Sequence, residues 1–115
     1  MIISFGKTKD ELLSGTKTVT RRFWKPNYFA TWLTRWDKGF RVYDAYDKSP
    51  RNGGKKIGTI TLTQRPYREP LSMLTESELL AEGGMCSTVE EFCALVGKEP
   101  EDEAAVIRFV FEPNS

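Results

Sequence analysis

Leu12-Leu13-Ser14-Gly15-Thr16-Lys17-Thr18-Val19-Thr20-Arg21-Arg22 is the stretch on which the fold turns. Thr8 is a good N-cap, Glu11 three residues on completes a capping box, and Gly15 supplies a stop, so a helix is predicted over 8–14. The next residues, Thr18-Val19-Thr20-Arg21-Arg22-Phe23-Trp24, are rich in β-branched and aromatic side chains and predict a strand over 18–24. Strand alternation sends Val19, Arg21 and Phe23 to one face and Thr18, Thr20, Arg22 and Trp24 to the other. Lys17 falls in the connection, where alternation does not fix its direction.

Working outward, Pro26-Asn27 opens a helix over 28–37 whose apolar positions Phe29, Trp32, Leu33 and Trp36 follow helical spacing. Residues 40–46 and 57–64 read as strands, joined by the long, basic, glycine-containing hairpin loop 47–56. Thr75 with Glu78 starts a helix over 75–82 that stops at Gly83-Gly84, and Thr88 with Glu91 starts another over 88–96 that stops at Gly97. Ala105-Val106-Ile107-Arg108-Phe109-Val110-Phe111 makes the final strand. Four short helices and about five strands, mixed without regular βαβ alternation, cannot cover both faces of a parallel sheet. The expected class is α+β, a small barrel or curled sheet flanked by short helices, in one domain over residues 1–115.

Composition removes several chemistries. The 115 residues contain no His, so Ser-His-Asp triads, Cys-His dyads and His-ligated zinc are excluded, and two Cys cannot form a four-thiolate site. Cys86 and Cys93 read as two buried thiols. No apolar run approaches the ~18–20 residues of a membrane helix. The opening Met1-Ile2-Ile3-Ser4-Phe5-Gly6 lacks the features of a secretory leader, so a cytoplasmic monomer without membrane contact, cofactor or metal is expected. The net charge of +1 conceals a split: residues 1–68 hold 15 Lys/Arg against 5 Asp/Glu, and residues 69–115 hold 2 against 11. Such asymmetry hints at a polyanion-binding side, unless the halves interleave and neutralise each other in space.

Three groups of residues have the chemistry of a site. Lys17, Thr20, Arg22 and Trp24 could share a surface suited to an anionic, planar ligand. Glu82 stands at a helix C-terminus, against the helix dipole, beside Gly83 and Gly84; the second glycine would let a ligand or backbone approach, and the dipole nudges the acid's pKa upward. Aromatic residues are interleaved with basic ones in the first half, and Trp24 and Tyr28 are the better candidates for ligand contact because Trp32 and Trp36 lie on an apolar helix face.

Together these motifs resemble the ASCH domain family of the PUA-like superfamily. The resemblance rests on the Gly15-x-Lys17-x-x-Thr20-x-Arg22 string and on the later Leu74-Thr75-Glu76 leading to Glu82-Gly83-Gly84, and it spans essentially the whole chain. It implies a small β-barrel with a cleft lined by the lysine-containing loop, and a partner that is RNA or a modified nucleoside. Compact members are similar to amidohydrolases that remove the acetyl group of N4-acetylcytidine with a Lys, a Thr and a Glu. Carried over by motif, these are Lys17, Thr20 and Glu82, with Arg22 as a binding residue. Other members look like RNA-binding modules, for which Arg21, Arg22, Trp24, Lys55 and Lys56 would be the contacts, or like ribonucleases. The leading expectation is amide hydrolysis of an N4-acylated cytidine.

Overall fold

The structure, a computed structural model, describes residues 2–114. Its organising element is the last strand, β6 (Glu103–Pro113). Residues 104–107 of it are buried without interruption, because the strand is covered on both faces. Ile107 and Phe109 enter one hydrophobic core, and Ala104 enters a second.

Five further strands assemble around β6: β1 (Ile2–Ser4), β2 (Val19–Arg22), β3 (Val42–Tyr46), β4 (Lys56–Leu62) and β5 (Tyr67–Pro70). The order is β1-β3-β4-β6-β2, with only the β1–β3 pair parallel. β5 lies beside the first half of β6 and β4 beside its second half. Between the last β4 pair (Leu62 with Phe109) and the first β5 pair (Tyr67 with Val106), four residues oppose two. That insertion bends the edge sharply. Among the described residues β1 and β2 do not pair, so the curled sheet is a half-barrel with an open seam between them.

Four helices flank it: α1 (Lys9–Leu13), α2 (Pro26–Asp37), α3 (Glu76–Ala81) and α4 (Val89–Val96). The sheet interior packs Ile3, Phe5, Tyr43, Ile60, Ile107 and Phe109 with Leu12 of α1 and Trp32 of α2. Trp32 stacks on Tyr43 at 4.2 Å between ring centroids and on Trp24 at 4.7 Å. The second core joins Leu71 and Ala104 to Leu79 of α3 and to Phe92 and Cys93 of α4.

The α+β class and the four helices are as the sequence predicts. Two details differ. The 8–14 helix is one residue shorter at each end, and the Thr8 hydroxyl makes no cap bond. β1 and β5 lie where no strand is predicted. β1 has only three residues, and β5 reads Tyr-Arg-Glu-Pro, with no β-branched residue and a closing proline. No helix among the described residues is long and apolar enough to cross a membrane.

Candidate functional site

The connection holding Lys17 is pinned from two sides. Its amide donates to the Glu11 carbonyl at 3.0 Å, and the Thr18 amide donates to the Ala81 carbonyl at 2.9 Å. The chain between α1 and β2 is thereby laid against the end of α3, whose C-cap is Glu82. The result is a buried contact between residues 65 positions apart: the Lys17 amine donates to the Glu82 carbonyl at 2.5 Å and to Glu82 Oε1 at 3.3 Å. The two side chains are 2% and 8% exposed.

β2 divides the remaining polar side chains by its register on β6. Thr20 and Arg22 lie opposite Ile107 and Ala105; Val19 and Arg21 lie opposite Arg108 and Val106. On the first face the Arg22 Nε donates to Thr20 Oγ1 at 3.2 Å and Nη2 donates to the Ser4 carbonyl at 2.6 Å. Arg22 therefore bridges the open seam from β2 to β1. On the second face Arg21 donates through Nη1 to Glu82 Oε2 (3.1 Å) and through Nη2 to Glu69 Oε1 (3.0 Å) and Glu78 Oε1 (3.3 Å). Arg108 then takes both oxygens of Glu78 and both Nε and Nη2 bonds to the Tyr67 hydroxyl.

A cleft of about 380 Å³ opens at this junction. Its charged floor holds Lys17, Thr20, Arg21, Arg22 and Glu82; its apolar wall is Phe23, Met85, Phe92, Leu95 and Val96; the segment Ser4–Thr8 forms the rim. Burial lowers the Lys17 pKa below its ordinary 10.5, and outweighs the opposing pull of Glu82, while Arg22 and Arg21 add to the lowering. Burial likewise lowers that of Arg22, against the influence of Glu82 and Tyr28.

Of the residues singled out from the sequence, Lys17, Thr20, Arg21, Arg22 and Glu82 line this one cleft. The others lie elsewhere. Trp24 is not beyond Thr20 in the cleft but packs on Trp32, with Tyr28 edge-on at 5.0 Å. Gly83 (φ +130°) is buried against Thr8: a Cβ there would stand 2.9 Å from Thr8 Cγ2. Gly84 (φ +73°) closes the helix, its amide donating to the Leu79 carbonyl at 3.0 Å. The double glycine serves chain reversal and packing. Lys56 pairs with Asp44 at 3.2 Å, and Lys55 lies in the exposed hairpin loop.

Glu69, Glu78 and Arg108 join the site without having been read from the sequence as part of it. Glu78 reads as a capping-box acid; its amide does take the Thr75 hydroxyl at 3.3 Å, but its carboxylate turns to the two arginines. Arg108 carried a signal, as the lone charge inside an otherwise apolar strand.

Fold and cleft define a small α+β half-barrel protein with a buried Lys-Glu-Arg cluster at its seam. No known family profile matches the sequence, and no curated protein matches it. The fold is similar to the crystal structure of protein EF3133 from Enterococcus faecalis V583, which carries the family designation DUF984. The TM-score is 0.59 and the identity 14%, over 97% of this chain and 76% of that one, a likeness of fold alone.

Proposed function

We propose that the cleft hydrolyses the exocyclic amide of an N4-acylated cytidine, as the resemblance to ASCH-type amidohydrolases implies, with Lys17, Thr20 and Glu82 as the working set. The observation that carries this reading is the Lys17 amine. It is buried in a cleft beside a carboxylate and two guanidinium groups, and its pKa is lowered rather than raised. The lowering enlarges the fraction of neutral amine, the form that accepts a proton, and in a chain without His that supplies a general base.

In the free protein Thr20 Oγ1 accepts a bond from Arg22 Nε, which leaves its own proton unassigned to Arg22. In the loaded cleft the Thr20 oxygen attacks the acyl carbon and its proton passes to Lys17. The C–N bond then breaks as Lys17 returns the proton to the leaving N4 amine. Water cleaves the acyl-threonine ester, with one water proton returning through Lys17 to Thr20 Oγ1, to give the free carboxylic acid. Glu82 holds Lys17 in place through its carbonyl and Oε1. The apolar wall from α4 faces the acyl group and the base.

The test is turnover of N4-acetylcytidine to cytidine and acetate, followed by mass spectrometry. Wild type is expected to turn over, and Lys17→Ala to lose about 10²–10⁴-fold, the ordinary contribution of a general base. The rate constant kcat/KM should rise with pH as Lys17 loses its proton, along a limb lying below 10.5. Absence of turnover in the wild type would overturn the hydrolase reading.

One observation favours a second reading, recognition of RNA without catalysis. The basic loop 47–56 borders the cleft rim: a Cβ on Gly6 would lie 3.8 Å from the Asp47 carbonyl. Lys48 and Lys9 are close enough to Asp47 to lower its pKa, after its bond from the Lys55 amide. That basic margin, with Arg51 and Lys55, suits a phosphate backbone leading to the cleft.

A further inference from the structure

Arg21 has no step in the reaction proposed above, yet its side chain is wholly buried, deeper than Lys17 or Glu82. Burying a guanidinium costs several kcal/mol unless it is paired. Glu69 and Glu78 alone would pair it, and both reach Nη2 from β5 and α3. Arg21 nevertheless also takes Glu82, twice: Nη1 bonds Oε2 at 3.1 Å and the Arg21 amide bonds Oε1 at 3.2 Å. Glu82 thus has both oxygens engaged by Arg21, and Lys17 is left with a long 3.3 Å share of Oε1. An unshared carboxylate would close on the amine and hold it as ammonium.

We propose that Arg21 is a positioning residue that keeps Glu82 partly withdrawn from Lys17, leaving the amine free to release its proton, and that Glu78 sets how strongly Arg21 does so. The catalytic consequence rests on the reading of Lys17 as the proton acceptor; the electrostatic relation does not. The charged groups facing the amine are Glu82 from the α3 cap and Arg21 and Arg22 from β2, with Lys7 at the cleft rim. Glu78, Glu69 and Arg108 act on it through Arg21.

Opposite signs follow for two substitutions. In Arg21→Gln, Glu82 keeps the residue-21 amide on Oε1 but Oε2 loses its guanidinium, and one positive charge is lost, so the amine should hold its proton to higher pH. In Glu78→Gln, Arg21 loses a competing carboxylate and a negative charge leaves the cluster, so the amine should lose its proton at lower pH. Loss of charge alone would give the same two signs, so Arg21→Lys, which keeps the charge and loses the guanidinium fork, separates the two: a raised midpoint supports positioning, and an unchanged one overturns it.

The measurement is an NMR titration of the Lys17 Nζ and Cε resonances in the full-length protein without substrate, assigned by their loss in Lys17→Arg. The midpoint should rise by about one pH unit in Arg21→Gln and fall in Glu78→Gln. Should Arg21→Gln not fold, Arg21→Lys and Glu78→Gln decide together: a rise in the first with a fall in the second supports the proposal, and any other pair of shifts overturns it. Where the substrate of the hydrolysis assay is turned over, the same shifts should appear in the pH profile of kcat/KM. Failure of that assay with the midpoints moved as stated would refute the hydrolase reading and leave the role of Arg21 intact.

Discussion

Position 83 shows how a residue can be flagged for one reason and needed for another. The sequence marks Glu82-Gly83-Gly84 as a helix-terminal acid beside an open backbone. The acid does reach the cleft, but Gly83 is required because its φ of +130° and the Thr8 methyl leave no room for a side chain. Gly83→Ala should therefore cost about 1–3 kcal/mol, the range for a strained backbone position with a close contact to relieve. Denaturant unfolding reads the loss. A change under half the lower figure would mean that Thr8 and the turn yield easily. Glu82 was legible because its oddity is local, an acid against a helix dipole. Glu69 was not, and Arg108 showed only as a lone charge in an apolar strand, because their partners stand 48 and 30 residues away in the chain, on β2 and α3, and meet them only in the fold.

Among the elements, α4 was the most legible. Thr88 accepts from the Glu91 amide at 3.1 Å and Gly97 ends the helix at φ +70°, as the capping residues predict. Its burial then places Phe92, Leu95 and Val96 on the apolar wall of the cleft. Loss of the cap in Thr88→Ala should destabilise by about 1 kcal/mol. Hydrogen exchange should accelerate in the first turn of α4 more than in β6. Equal acceleration in both would mean that α4 has no stability of its own to lose. α1 is the contrast: the same Thr-x-x-Glu pattern forms no side-chain cap, because Thr8 is turned into the packing against Gly83 and the cleft rim. The motif still marks the helix start, but the cap bond forms only where the backbone is extended, as at Thr75 and Thr88, and Thr8 stands at φ −126°, ψ 27°. β2 was legible in this respect, since strand alternation puts Arg21 and Arg22 on opposite faces and the sheet gives them different partners.

At the scale of the whole molecule part of the charge asymmetry is neutralised inside the fold. Lys17 and Arg21, from the basic half, meet Glu69, Glu78 and Glu82, from the acidic half, at the cleft floor. The half-barrel leaves its seam between β1 and β2 at this same place. Across it the Arg22 guanidinium reaches the Ser4 carbonyl at 2.6 Å and stands 5.2 Å from the Phe5 ring centroid, while its Nε holds Thr20. A planar fork does both tasks at once, and a lysine ammonium on its flexible stem cannot. Arg22→Lys keeps the charge and loses the bridge. It should lower stability by about 1.5–3 kcal/mol, the range for hydrogen bonds to a charged donor. Amide exchange should quicken in β1 and in Phe5, whose amide bonds Tyr46 at 2.9 Å, ahead of β4 and β6. Far-ultraviolet circular dichroism should stay the same, since the β1–β3 ladder does not need the bridge to form. If β1 exchange is unchanged, Ile3 and Phe5 in the core hold the seam by packing alone, and Arg22 serves the cleft without closing the barrel.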